Sequence, residues 1–358
     1  MEIRGGKLFM RKILAFLILI FLILSIGYSQ ELKILTFDEA VNIALKNNKD
    51  ILVAKINLDN AVFDYENKKK DPTTLILSLK QAELNVKLEQ VKYNNTKIQV
   101  IQSVRNAYFS VLEAQAQVKL YEKQVEYYLE NLNAAKLKFQ LGNATLTDVK
   151  QAEINYLSAQ NTLKSAENNL SIAWSQFWQT LGVSPMENIT LKEPDLVVFN
   201  FTLDDLFNLA KENLTSIVQA SNNVELYDLQ VKLYNNEYTP KATLLSSQNS
   251  LESAKMNLEQ VLNSTKLTIA QRLDKLNASL KDVELQKSNL DLAKENYNIT
   301  KTRFEAGLIT KLDLMNAEIN LIKAENNYYS SLHTYFKNLD NLSISVGKAL
   351  SEGGEVKK

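Results

Sequence analysis

Few side chains in this chain of 358 residues could do chemistry. His333 is the only histidine; it falls on a predicted helix beside Tyr329 and Tyr335, where an isolated imidazole reads as an exposed or packing side chain and not as a ligand or catalyst. The absence of cysteine removes disulfides, thiolate metal sites and a lipid-modified N-terminal cysteine. No nucleophile, phosphate loop or metal cluster stands out, and the carboxylates are spread at the spacing of solvated helix faces. The expectation is a protein that is not an enzyme and needs no cofactor or metal. What does stand out is a pair of hydrogen-bonding triads. Gly142, Thr145 and Asp148 lie in Lys138-Phe-Gln-Leu-Gly-Asn-Ala-Thr-Leu-Thr-Asp-Val149, and Gly307, Thr310 and Asp313 lie 165 residues on in Arg303-Phe-Glu-Ala-Gly-Leu-Ile-Thr-Lys-Leu-Asp-Leu314. In each, the glycine permits the left-handed backbone that ends one helix, the threonine caps the next, and the aspartate three residues later is favoured by the helix dipole.

The elements that must position these triads are legible upstream. Val104, Val111, Val118, Val125, Leu132 and Phe139 form a seven-residue apolar ladder, and Ile269, Leu276, Val283, Leu290, Tyr297 and Phe304 repeat it 165 residues later. A second pair of landmarks agrees: Thr36 with Glu39, and Thr202 with Asp205, open the two copies with the same helix-start spacing. The chain is an internal duplication of a large hairpin unit rather than a short solenoid repeat. Nine glycines and four prolines are too few for short elements. The spacing predicts an all-α fold with helices at about 37–69, 75–140 and 145–181, then 202–236, 242–305 and 310–346. At 1.5 Å per residue the second helix of each copy spans roughly 100 Å, and the first and third together match it end to end. Each repeat is thus an antiparallel rod whose far tip is the glycine turn.

The predicted organisation is a signal peptide at 1–29, a first helical repeat at 30–185, a linker at 186–200, a second repeat at 201–350 and a polar tail at 351–358. Lys7, Arg11 and Lys12 precede an apolar run from Ile13 to about Ile26, and Gly27-Tyr-Ser29 supplies the small residues of a cleavage site. The run is shorter than the roughly 20 residues of a spanning helix. Export with cleavage is therefore expected. Without this leader the chain holds 37 basic against 40 acidic residues, so no basic surface suggests nucleic acid. In the linker, Gly182 and Pro185 stop a helix, Pro194 interrupts the chain beyond it, and Ile189–Leu191 and Leu196–Phe199 are short candidate strands beside the middle of the rod. Trp174, Phe177 and Trp178 share one helix face and are expected to pack against that linker. Phe109, Leu112, Ala116 and Leu120 run beside the first ladder, so this helix has neighbours on more than one side and belongs to a bundle or a wall, not to a two-stranded coiled coil.

These paired openings, paired turns and the paired helix ends Leu181-Gly182 and Val346-Gly347 resemble the TolC-like outer-membrane efflux proteins over nearly the whole mature chain. The resemblance implies a homotrimer in which each protomer gives two hairpins to a twelve-helix tunnel across the periplasm. It implies docking of a periplasmic adaptor (membrane fusion) protein of an inner-membrane pump at the tips, and so at Gly142, Thr145, Asp148, Gly307, Thr310 and Asp313. The chain departs from the family in one respect. Members insert two membrane strands per repeat between the first and second helix, a hairpin of about 20 residues plus a turn. Here the segments around Pro72 and Pro240 leave no room for it, and the β-barrel strands are expected to be reduced or absent. The functional expectation is a passive efflux duct in the outer membrane or periplasm. The alternative is a barrel-less periplasmic scaffold of the same rods.

Overall fold

The computed structural model describes residues 33–350 and 355–356. The expected signal peptide at 1–29 and most of the polar tail lie outside the described residues. The chain divides into a small unit, residues 1–35 with 186–190, and a large one, residues 36–185 with 191–358. Of the small unit, the described residues hold β1 (Lys33–Leu35), which pairs with the strand beginning at Ile189 (β2, Ile189–Leu191). Lys33 donates its backbone N–H to the Asn188 carbonyl at 2.9 Å.

The large unit is two copies of one pattern. The first copy runs α1 (Phe37–Asn47), α2 (Lys49–Lys70), α3 (Ile76–Gln140) and α4 (Leu146–Leu181); after β3 (Val197–Val198) the second runs α5 (Leu203–Asn213), α6 (Thr215–Tyr234), α7 (Lys241–Glu305) and α8 (Lys311–Val346). β3 pairs antiparallel with β4 (Glu355–Val356), Val197 opposite Val356. The two short linker strands thus form where expected.

One expectation is corrected in both copies. The first predicted helix is broken, at Asn48 and at Leu214. Asn48 leaves the helical region (ψ 127°), and its side-chain oxygen accepts from the N–H groups of Asp50 at 2.8 Å and Ile51 at 3.3 Å. It therefore ends α1 and starts α2 at once, which the apolar periodicity alone does not reveal. Leu214 makes the equivalent bend with no side-chain cap.

α3 and α7 run unbroken for 65 residues each, about 100 Å. Along α3, α2 covers one half and α4 the other; along α7, α6 and α8 do the same. The stacked pairs meet where a glycine ends the third helix of each copy. Gly182 (φ +70°) and Gly347 (φ +69°) close α4 and α8, each with backbone N–H groups turned back onto the last carbonyls. A side chain at Gly347 would run into the Asn213 carbonyl oxygen at 2.1 Å, so the ends of α8 and α5 touch backbone to backbone.

The copies join through α3 and α8, which run antiparallel. Gln102 bonds Asn341 at 2.9 Å, Lys123 pairs with Glu318 at 3.3 Å, and Lys311 pairs with Glu130 at 3.0 Å. Below the middle, α6 takes the place of α8: Asn222 donates to the Leu84 carbonyl at 2.9 Å and Lys80 pairs with Glu225 at 2.6 Å. In the tip half the helix order is α4, α3, α8, α7, a single layer with two open edges. α3 is buried on both flanks. Ala152, Ala159, Ala166 and Ala173 give α4 a seven-residue ladder of buried alanines, small enough for close helix approach. The other flank holds buried Phe109, Leu112 and Leu120. Of the predicted ladders, Val104, Val111, Leu132, Ile269, Leu276, Val283 and Leu290 are buried, Val118, Val125, Tyr297 and Phe304 are half-buried, and Phe139 is exposed at the tip.

At the end opposite the glycine turns, five residues (71–75) join α2 to α3 and six (235–240) join α6 to α7. Neither segment contains a strand. No helix of the described residues is long and apolar enough to cross a membrane.

The four turn glycines separate two effects. At Gly142 an added methyl meets nothing within 4 Å, so Gly142→Ala costs only the left-handed backbone, about 1–2 kcal/mol. Gly347→Ala adds the clash with Asn213 and loses clearly more, the comparison being read by urea denaturation of the two variants side by side.

Candidate functional site

Two regions carry the polar architecture of the large unit: the hairpin tips and a belt at the middle of the layer. At the first tip, Gly142 has φ +75° and Asn143 donates its N–H back to the Lys138 carbonyl at 2.8 Å. Thr145 and Asp148 then form a reciprocal cap. The Asp148 carboxylate accepts from the Thr145 N–H at 2.7 Å, and the Thr145 hydroxyl oxygen accepts from the Asp148 N–H at 3.2 Å. The second tip repeats this with Gly307 at φ +71°, Thr310 N–H to Asp313 at 2.9 Å and Asp313 N–H to Thr310 at 3.2 Å. The hydrogen bonds from the Thr145 backbone and side chain hold the Asp148 carboxyl below its ordinary value, and those from the Thr310 side chain and backbone do the same for Asp313. The structure therefore brings each predicted triad together within its own turn.

It does not bring the two triads to one level. The α3–α8 pairs place the start of α8 beside Glu130 and not beside the end of α3, so the first tip projects beyond the second by on the order of 10 Å. Exposed apolar side chains surround the first tip (Leu137, Phe139, Leu141, Leu146), and Leu308 crowns the second.

The belt lies where the linker crosses the layer. Tyr108, halfway along α3, donates its hydroxyl proton to the Lys192 carbonyl at 2.8 Å and accepts from the Lys192 N–H at 2.9 Å. Burial pushes the Tyr108 hydroxyl up to about 12. Tyr335 of α8 accepts from the Phe199 N–H at 3.4 Å. Phe177 packs edge-on against Tyr108 at 6.0 Å, while Trp174 stacks on Trp178 at 5.6 Å. This aromatic face thus reaches the linker through Tyr108.

His333 is a packing side chain, one of the two alternatives expected of it, but with charged partners that the sequence did not reveal. It is 1% exposed, and both ring nitrogens face carboxylates: Nδ1 lies 3.0 Å from Glu113 of α3 and Nε2 lies 2.8 Å from Glu193 of the linker. The ring stacks on Phe109 at 4.0 Å. Nearby, Arg105 and Asp340 form an ion pair at 2.6 Å with side chains only 4% and 6% exposed. The guanidinium also lies 4.0 Å from the Phe37 ring of α1, a cation–π contact that ties α1, α3 and α8 together. These partners stand 140 to 235 residues apart in sequence. The one sequence signal for the ion pair is a charge of each sign embedded among the apolar residues of facing helices.

A layer of four long helices built from two hairpins, with uncovered edges and a linker belted across its middle, is an all-α, duplicated-hairpin fold. Residues 76–183 match the family model described as "Outer membrane efflux protein". Outer membrane protein TolC of Salmonella enteritidis is 20% identical over 313 residues, a match spanning 73% of this chain and 63% of that protein. Among solved structures, the CmeC outer membrane channel of Campylobacter jejuni superposes with a TM-score of 0.65 at 14% identity, over 88% of this chain and 87% of that one. The outer membrane protein VceC of Vibrio cholerae gives a TM-score of 0.63 at 13% identity, over 88% and 97%. The chain is thus similar to outer membrane efflux proteins in the sequence of residues 76–183, and to these TolC-family channels in its fold.

The Arg105–Asp340 pair yields a test of the belt. Removing one partner leaves the other charge buried and costs about 3–5 kcal/mol, whereas replacing both with apolar residues of similar size is close to neutral. Chemical denaturation of Arg105→Met, Asp340→Leu and the double variant is expected to give two strongly destabilised single variants and a double variant near the parent.

Proposed function

We infer that this protein is a passive duct of the outer membrane or periplasm, formed when three copies close into a helical tube that carries efflux substrates delivered by an inner-membrane pump through a periplasmic adaptor. The observation that carries this reading is the state of the two edges of the layer. On α7, Leu245, Met256, Leu267, Leu285, Leu292 and Ile299 are all exposed. At 3.6 residues per turn they fall within roughly 40° of one another, in one stripe along almost the whole helix. Met256, Leu267, Leu285 and Leu292 each lie two residues from a buried position (Ala254, Ile269, Val283 and Leu290), and therefore on the opposite face.

The other edge is apolar as well. Leu52, Ile56 and Phe63 of α2 are exposed along one stripe, and Leu146, Ile154, Leu157 and Ile172 continue it on α4. A monomer has no use for two such stripes at opposite edges of one layer. Joining the α7 edge of one copy to the α2–α4 edge of the next is a heterologous contact, and a heterologous contact that closes makes a ring. Three as the number of copies is what the resemblance to TolC-like efflux proteins implies.

In the tube the turn residues Gly142, Thr145, Asp148, Gly307, Thr310 and Asp313 stand at one mouth. Their hydrogen bonds are spent on capping, so they build the tips, and the exposed Leu137, Leu141 and Leu308 beside them supply apolar contact area for the adaptor. Transport energy comes from the pump, since the duct needs only a continuous lumen. The short turns at residues 71–75 and 235–240 favour a second reading, a barrel-less periplasmic scaffold. Closure separates the two.

Because the chain has no cysteine, paired cysteines report contacts between copies cleanly. Asn161→Cys combined with Ile299→Cys, at similar heights on the two edges, is expected to give dimer and trimer bands on oxidation, and Leu285→Glu with Leu292→Glu is expected to reduce the assembly to monomers. Monomers only from the paired-cysteine variant, together with an unchanged assembly state in the glutamate variant, would overturn closure through these edges.

A further inference from the structure

His333 sits between two carboxylates in a way that restricts its protonation state. A neutral imidazole carries one N–H and one lone pair, so it can donate to only one of two flanking carboxylates. Here Nδ1 is 3.0 Å from Glu113 and Nε2 is 2.8 Å from Glu193. In either neutral tautomer one nitrogen lone pair would face a carboxylate oxygen at hydrogen-bonding distance, in a site where the ring is 1% exposed. Only the imidazolium satisfies both contacts.

The two carboxylates belong to different parts of the chain. Glu113 is on α3 of the first repeat, Glu193 on the linker, and His333 on α8 of the second repeat. The ring therefore fastens the linker across the seam between the repeats. We propose that His333 is a proton-dependent latch: in its doubly protonated form it holds the linker segment 192–199 against the α3–α8 seam, and on losing a proton it releases the Glu193 contact.

The surroundings agree. From α3 the ring meets Glu113 and the uncharged Phe109; from the linker it meets Glu193, with Asp195 beyond, paired to Lys192 at 3.3 Å. From α8 itself Lys337 reaches Glu113 at 3.3 Å, and Tyr329 lies beside the ring in a cavity of about 300 Å³. α4 contributes the uncharged Ala166 and Asn169 to that cavity. Glu113 and Glu193 are partly open to solvent, at 40% and 28% side-chain exposure, so a proton can reach the site. Burial alone would pull the imidazole down, but the hydrogen bonds to Glu113 and Glu193 outweigh it, and the net direction is up from 6.5. For a group whose folded value is raised, the stabilisation is fully present below about pH 6.5 and is lost as pH rises through the higher folded value. The latch is closed in mild acid and opens toward alkaline pH. Glu113, held low by His333 and Lys337 against its own burial, stays ionised across that window.

The single histidine makes the test direct, because nitrogen NMR of protein labelled at histidine, with any purification tag removed, reads this one ring. Both nitrogens are expected to be protonated at pH 6, with a midpoint above 6.5 that falls in Glu193→Gln. Amide exchange protection of residues 192–199, corrected for the intrinsic rate, is expected to drop across that midpoint, roughly tenfold for each unit by which it exceeds 6.5. His333→Gln should give weak, pH-independent protection; if that variant does not fold, the parent and Glu193→Gln titrations decide alone. A midpoint below 6.5, a neutral tautomer at pH 6, or protection that stays flat across the midpoint would overturn the latch.

Discussion

A helix of 65 residues is stable in water only if something of its own length lies along its apolar side. That constraint organises the protein. Each repeat answers it with two shorter helices stacked end to end, and the stack works only where their ends can meet without a gap. Gly182 and Gly347 allow the meeting, since their left-handed backbones turn the chain away while α1 and α5 come within contact of the helix ends. The tips, the belt and the open edges all take their positions from those two long helices and their split partners.

The belt marks the height at which the covering helices change. There α8 is buried nearly all round, from Ser331 to Val346, and the large aromatics gather. The charged and aromatic polar groups of this core come in sets: Arg105 with Asp340, His333 with two glutamates, and two tyrosines with linker backbone. Such sets contribute less to net stability than to fixing one arrangement of the seam. An apolar seam with period seven can slide by a heptad, and a buried ion pair at one height forbids it.

Much of this was legible in the sequence because it is local or repeated. The capping boxes at Thr36, Thr145 and Thr310 follow from residues three apart, the ladders from period seven, and the hairpins from a glycine set between them. The short turns at Pro72 and Pro240 were legible too, because a membrane hairpin requires more residues than are present. What escaped depends on partners far along the chain. His333 looked idle because Glu113 and Glu193 lie 220 and 140 residues away. The bend at Asn48 escaped for a different reason: one asparagine ends one helix and starts the next, so the apolar pattern runs through it undisturbed. The edge stripe on α7 mixes spacings of seven and eleven, which hides it from a heptad count.

Closure of the layer into a ring is the central claim, and the most direct measurement is the mass of the mature protein, extracted with and without detergent, together with its negative-stain image. A trimer seen end-on as a ring with an open centre, roughly 100 Å long from the side, is the predicted result. A monomer, or a solid rod with no lumen, would contradict it.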